Sequence, residues 1–279
     1  MPDKIAGRGH KLIMSDVKQY ALEHDIPVLQ PEKLKNPEFL DQLRSLEADL
    51  FVVIAFRMLP EAVWAMPPKG TFNLHAALLP KYRGAAPINR AIMNGETKTG
   101  VTTFFLNHEI DMGSIIDQRE ISITDEDNVG TVYDRLMNLG AEMVSETVLN
   151  IEAGTIRPKP QPEGEFIAAP KIFKEDCIIN WNRPAVEIHN QVRGLSPYPC
   201  AFSPLTAERH NGMDTKIYTT RLTEEPVGDT KPGVVKVDGR RMYVATADNW
   251  LEITELQPAG KKRMEASAFL LGYSPIHFN

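Results

Sequence analysis

Cysteine is nearly absent from this chain. Only Cys177 and Cys200 occur in 279 residues. Their spacing makes neither a Cys-x-x-Cys motif nor a zinc cluster, so both are read as ordinary semi-buried thiols. Long apolar runs are missing too. No stretch approaches about 18 consecutive apolar residues, which excludes a transmembrane helix. The opening MPDKIAGRGHKL is too polar for a secretory signal, and a cytoplasmic protein with no membrane partner is expected. There is no excess of positive charge, with 31 Lys and Arg against 37 Asp and Glu and a net charge of −6. Any nucleic-acid surface must therefore be a local basic face. Internal repeats and low-complexity tracts are also lacking.

What is present is an alternation of strand and helix signals. Ser15 caps a helix carrying Val17, Tyr20 and Ala21, and Ile26 to Leu29 reads as an edge strand. Asn36 caps a second helix with Pro37 in its first turn and an apolar stripe of Phe39, Leu40, Leu43 and Leu46. Leu50 to Phe56 is continuously apolar, as expected of a parallel strand covered on both faces. Strands are predicted over Thr71 to His75, Val101 to Leu106 and Ile115 to Ile123, with a helix over Pro87 to Asn94 closed by Gly95. Val129 to Ala153 is a long amphipathic helix with Val132, Leu136, Leu139, Met143 and Val148 inward, ended by Gly154. The order predicts an α/β fold with an open, mostly parallel sheet. Pro158, Pro160 and Pro162 then alternate, as in a stiff extended linker. Beyond it come a helix over Pro184 to Arg193 and short strands over Lys216 to Leu222, Val234 to Val237, Met242 to Ala245 and Leu251 to Leu256. That spacing predicts a small β-barrel.

The chemistry centres on Asn73 and His75. Strand period puts them on one face at the C-terminal end of a strand, the edge where open α/β sheets bind ligands. An amide can donate to an oxyanion and an imidazole can move a proton. Read alone, such a pair does no more than satisfy backbone groups. Asp111, in a tight turn before Gly113, would raise the His75 pKa and fix the ring if it faced the same edge. A metal set of His75, His108 and Asp111 matches no trusted ligand spacing, and no metal is expected.

Together, Asn73-Leu74-His75, Leu78-Leu79-Pro80, Tyr82-Arg83-Gly84-Ala85-Ala86-Pro87 and Ile110-Asp111-x-Gly113 resemble the signature of the 10-formyltetrahydrofolate-dependent formyltransferases. The Arg-Gly-Ala-Ala-Pro run is similar to the methionyl-tRNA branch. So are Ala6 to Leu12, like that branch's loop for the acceptor end of initiator tRNA, and Leu256 to Met264, like its C-terminal signature. The resemblance implies a catalytic trio of Asn73, His75 and Asp111, with Asn73 and a protonated His75 on the oxyanion. It implies 10-formyltetrahydrofolate as co-substrate, lying against Leu78, Leu79, Pro80 and Phe104. Initiator methionyl-tRNA is the implied partner, met by Arg8, Lys11, Arg83, Lys261, Lys262 and Arg263, with a monomeric enzyme. Residues 1–155 would be a Rossmann-like formyltransferase domain, 156–172 a linker, and 173–279 an oligonucleotide-binding-like (OB-like) barrel.

The family normally opens with a strand, a helix and a second strand, roughly three dozen residues, before the loop at which this chain begins. Ile5 also stands where the family has Pro. The expectation is an unpaired sheet edge beside Leu50 to Phe56 and a chain that is not a competent enzyme as written. The competing readings are a sugar-amine formyltransferase, a formyltetrahydrofolate hydrolase and an inactive RNA-binding remnant. The Ala-Gly-Arg-Gly loop and Lys261 to Arg263 argue against the first two.

Overall fold

A computed structural model describes residues 3–6, 11–54, 58–109, 111–163 and 166–279. The chain starts with a hairpin, β1 (Lys4–Ala6) against β2 (Lys11–Ile13). The Ser15 hydroxyl accepts from the Lys18 amide at 3.3 Å and starts α1 (Asp16–Glu23). The Asn36 side chain accepts from Glu38 N at 2.9 Å and starts α2 (Pro37–Ser45). Neither helix buries a residue. The edge strand expected at Ile26 to Leu29 does not form. Ile26 N instead donates to Ala21 O at 2.8 Å, continuing the end of α1. Pro27 has no N–H to offer a ladder, which explains the difference.

The central sheet is built from β3 (Phe51–Ile54), β4 (Thr71–His75), β6 (Lys98–Phe105) and β7 (Ile115–Ser122), in that spatial order. Between them lie α3 (Glu61–Trp64), the short β5 (Arg83–Gly84) and α4 (Pro87–Met93). The α/β class stands, but among the described residues the sheet is mixed rather than mostly parallel. β3 runs parallel to β4, whereas β4/β6 and β6/β7 are antiparallel. The link from β6 to β7 is too short for a crossover, so those two strands can only form a hairpin. Among the described residues β3 is the outer strand, and its Val52 and Ile54 are 41% and 60% exposed.

The helix α5 (Val129–Glu152) covers one face of the sheet. Asn128 and Thr131 form a reciprocal capping box at its start, and Gly154 ends it at φ +66°. Its buried line is Val132, Leu136, Gly140, Met143, Thr147 and Ile151, with Leu139 and Val148 only half-buried. It packs against Leu74, Val101 and Ile123, which leaves the opposite side of β4, with Asn73 and His75, for the site.

The linker is not a free spacer. Lys159 and Ile115 exchange backbone hydrogen bonds at 2.8 Å each. Farther on, β8 (Ala168–Ala169) pairs in parallel with β5, and Tyr82 N donates to Ile167 O at 2.6 Å. With prolines on either side, Lys159 supplies the one N–H that an edge pairing needs.

A 3₁₀ turn at Glu175–Cys177 leads into α6 (Ala185–Leu195). The rest is β9 (Ala201–Ala207), β10 (His210–Pro226), β11 (Val235–Asp238), β12 (Arg241–Ala245), β13 (Asn249–Pro258), β14 (Met264–Glu265), α7 (Ala266–Phe269) and β15 (Pro275–Phe278). The order is β11-β12-β13-β10-β9-β15, with β14 on β13 and every named pair antiparallel. A bridge between Val234 and His277 nearly closes the barrel. Its core joins Ile188 and Leu195 of α6 to Leu205, Ile217, Met242 and Leu251. β9 and β15 were missed in the sequence because Pro204 and Pro275 interrupt their β pattern. α6 also ties this part to the sheet domain: Asn89 Nδ2 donates to Gly194 O at 2.7 Å and Arg193 Nη1 to Thr124 O at 3.0 Å.

Candidate active site

Period two along β4 places Thr71, Asn73 and His75 on the side away from α5. Both Asn73 and His75 are buried, at 3% and 7% exposure. Asn73 Nδ2 donates to Val53 O of the neighbouring strand at 3.1 Å, so one of its two N–H donors is committed to backbone. His75 Nε2 lies 2.8 Å from Tyr82 O. A carbonyl can only accept, so Nε2 carries the proton and Nδ1 of the neutral ring has the lone pair. Burial pushes the imidazole below its ordinary value, while the Asp111 charge and the Tyr82 carbonyl pull the other way. Asp111 does raise the imidazole pKa, as the sequence reading expects, while burial sets the net shift downward. Depth of burial outweighs the nearby carboxylate.

Asp111 is 8% exposed and takes a positive φ of 53°. Its Oδ2 accepts from Gly84 N at 3.0 Å. Gly113 lies in the same turn, where an added Cβ would come 1.5 Å from Phe105 O, so only glycine fits. His75 and Asp111 thus grip the two ends of the short segment Tyr82-Arg83-Gly84. The third residue of the metal alternative, His108, has a 72% exposed side chain that faces Glu61 at 3.8 Å. No three potential metal ligands cluster among the described residues.

The turn at Leu78-Leu79-Pro80, with a cis bond before Pro80, sits on a buried polar support. Thr102 Oγ1 donates to Ala77 O at 2.7 Å and accepts from Leu79 N at 3.2 Å. Gln118 Nε2 reaches Leu79 O at 2.8 Å and Thr102 Oγ1 at 2.9 Å. Leu78 and Pro80 are half-buried, whereas Leu79 and Phe104 are 3% and 0% exposed. Phe104 pairs in register with Asn73, so it underlies the site rather than lining open surface.

Residues 1–148 match the family described as "Formyl transferase", and residues 171–274 match "Formyl transferase, C-terminal domain". A methionyl-tRNA formyltransferase of Bacteroides fragilis is 52% identical over 98% of this chain and 86% of its own length. One from Porphyromonas gingivalis is 47% identical over 98% and 86%. The chain belongs to the methionyl-tRNA formyltransferase family. Among solved structures, an N-formyltransferase from Helicobacter canadensis, in complex with folinic acid and dTDP-3-aminofucose, aligns with a TM-score of 0.64 at 21% identity, over 94% of this chain and 86% of that one. HypX from Aquifex aeolicus, in complex with tetrahydrofolic acid, aligns with a TM-score of 0.62 at 23% identity, over 85% of this chain and 41% of HypX. Both share the fold, and each was solved with a folate derivative.

The RNA-facing residues that the methionyl-tRNA formyltransferase resemblance implied fare unevenly. Arg8 lies outside the described residues, and Lys11 opens β2. Arg83 is turned inward. Its Nε and Nη2 donate to Gln161 Oε1 at 3.2 and 2.5 Å, and its guanidinium lies 5.5 Å from the Phe166 ring. It fastens the site to the linker. Lys261 and Lys262 are exposed. Arg263 pairs with Glu255 and lies 4.4 Å over the Tyr218 ring. No helix among the described residues is long and apolar enough to cross a membrane. Gln161 was missed from sequence; its Nε2 donates to Asp111 O at 2.7 Å and Gly113 O at 3.0 Å. No local pattern marks it, because its partners lie 50 and 48 residues away.

Proposed function

We propose that this chain transfers the formyl group of 10-formyltetrahydrofolate to the α-amine of initiator methionyl-tRNA in the cytoplasm, with Asn73, His75 and Asp111 at the reacting centre. The observation that carries this reading is the double grip on Tyr82 to Gly84, with His75 on the Tyr82 carbonyl and Asp111 on the Gly84 amide. It brings a base and a carboxylate from distant parts of the chain to one short segment beside the sheet edge.

In this reading the amine nitrogen attacks the formyl carbon, and the carbonyl becomes a tetrahedral oxyanion. The second N–H of Asn73 is available to that oxygen. Nδ1 of the neutral His75 accepts the proton the amine must lose. The imidazolium so formed is stabilised by Asp111 and returns the proton to the folate nitrogen as the carbon–nitrogen bond of the donor breaks. Formylmethionyl-tRNA and tetrahydrofolate are the products. Leu78 and Pro80 supply apolar surface for the folate, above the Thr102 and Gln118 support. The sheet domain over 1–155 does the chemistry. The linker over 156–172 and the barrel over 173–279, with Lys261 and Lys262 outward, serve the tRNA together with the loop that carries Arg8.

The test is transfer of radiolabelled formyl from 10-formyltetrahydrofolate to charged initiator tRNA, run beside amino-sugar acceptors and beside release of free formate. Label on the tRNA that disappears in His75→Ala is the expected result. Label on an amino sugar, or formate alone, would replace this reading with one of the other folate-dependent activities. Binding of tRNA without any transfer would leave an RNA-binding protein.

A further inference from the structure

The linker reaches the Asp111 turn through the Gln161 side chain. Gln161 spends both donors of its amide on the Asp111 turn, to Asp111 O at 2.7 Å and Gly113 O at 3.0 Å. Its oxygen takes two donors from Arg83, at 3.2 and 2.5 Å. Arginine can only donate and the two carbonyls can only accept, so the amide has one possible orientation. All of its strong hydrogen-bonding directions are therefore assigned to protein atoms.

The turn it holds needs an outside hold. Asp111 sits at φ +53°, a region that L residues seldom occupy. Gly113 has no room for a side chain. The Asp111 carboxylate is fixed by Gly84 N, and its carbonyl by Gln161. Arg83, the residue before Gly84, closes the loop by gripping Gln161. The result is a ring of contacts from Asp111 to Gly84, through Arg83 to Gln161, and back to Asp111. Pro160 and Pro162 flank Gln161 and limit its backbone, so the hold is set before any substrate arrives.

We propose that Gln161 is a positioning residue for formyl transfer: from the linker it fixes the Asp111 turn, with Arg83 holding its amide in the one productive orientation. The proposal rests on the reading of Asp111 as part of the reacting centre. It makes the linker a structural part of the catalytic centre as well as a connection between two domains.

The informative variant is Gln161→Glu. It keeps the size and the Arg83 partner, but turns an oxygen toward two carbonyls where an amide donated. Gln161→Ala removes both halves of the contact, and Asp111→Asn runs beside them. Three quantities are read: kcat and KM for formyl transfer, the melting temperature, and hydrogen exchange of the Gly84 amide. The expected result for Gln161→Glu is a kcat loss of about tenfold or more, the scale of a displaced reacting group, with KM for folate and tRNA within about twofold. Gly84 exchange should rise about tenfold as its carboxylate acceptor loosens, with little change in melting temperature. Unchanged Gly84 exchange overturns the proposal, whether turnover holds or falls together with the melting temperature. Full turnover in Asp111→Asn would instead remove Asp111 from the reacting centre. Gly84 exchange needs no turnover, so it still decides whether Gln161 fixes the turn.

Discussion

Helices α2 and α5 both carry apolar stripes that are plain in the sequence, yet the protein uses them very differently. α5 buries Val132, Leu136, Met143 and Ile151 against the sheet. α2 buries no residue fully: Phe39, Leu40 and Leu43 are half-buried, and Leu46 at its C-cap stays 51% exposed. Periodicity says which side of a helix is apolar, while a tertiary partner decides whether that side leaves water. The sheet shows the same contrast. β6, in its interior, is buried along almost all its length, whereas β3 is exposed at Val52 and Ile54. The candidate site lies between these regimes. Asn73 leans on β3 through Val53 O, whereas the Leu79 turn rests on Thr102 of β6 and Gln118 of β7.

The largest expected effect tests whether chemistry sits at that boundary. His75→Ala and Asp111→Ala should each lower formyl transfer about 10²-fold or more, the scale of proton-transfer and oxyanion groups. Asn73→Ala should do the same and also leave Val53 O without its partner. Substitutions on the exposed side, such as Leu46→Ser, should leave turnover within about twofold, as expected of surface positions that touch nothing buried. Steady-state transfer to charged tRNA measures all four, and equal losses at Leu46 and His75 would erase the distinction.

A second test compares the helices by stability. Met143 of α5 is fully buried, so Met143→Ala should cost about 2–5 kcal/mol in urea unfolding. Leu46→Ala should cost less than about 0.5 kcal/mol. Similar costs would mean that α2 is buried in solution by a partner it lacks here.

Proton linkage gives a third, smaller effect. Burial holds both His75 and His189 below their ordinary value, and for His189 the charge of Arg193 adds to it. The unfolded chain takes up these protons near pH 6.5, while the folded protein resists until lower pH. Their contribution is therefore present above about 6.5 and lost as pH falls toward the folded values. The urea midpoint should drop between pH 7.5 and 5.5. His189→Gln, which retains a partner for Thr220 Oγ1 at that buried position, should flatten the drop. A midpoint that rises on acidification would reverse the sign argued here.

Much of this was readable because its signals are local. The caps Ser15, Asn36 and Asn128 start their helices, and Gly95 and Gly154 end theirs with positive φ. Period two put Asn73 and His75 on one face. What was not readable depends on distant partners. The direction of β7 follows from its short hairpin to β6, not from its composition. The downward shift of the His75 pKa follows from how deeply the fold buries it. The bond from Arg83 to Gln161 was not legible because its partner lies 78 residues on. The linker looked extended, and it is, but its pairing with Ile115 and with Arg83–Gly84 is a long-range contact.

The smallest effect concerns the caps themselves, where the two regimes meet most simply. The Asn128 side-chain oxygen caps α5 by accepting from Gly130 N at 2.8 Å and Thr131 N at 3.1 Å, and the Thr131 hydroxyl accepts from Asn128 N at 3.1 Å. Ser15 caps α1 with a single bond to Lys18 N at 3.3 Å. A cap is worth about 1 kcal/mol to its own helix in either case. It reaches global stability only if the helix cannot fray without exposing the core. α5 cannot, because Val132 in its first turn is fully buried. α1 can, because it buries no residue. Asn128→Ala should therefore lower the unfolding free energy by about 1 kcal/mol. Ser15→Ala should change it by less than about 0.5 kcal/mol and show itself as faster amide exchange confined to α1. Equal global losses would mean that α1 unfolds together with the sheet, and that the exposed side of this protein is coupled to its core by contacts stronger than the Lys18–Asp3 pair at 2.6 Å.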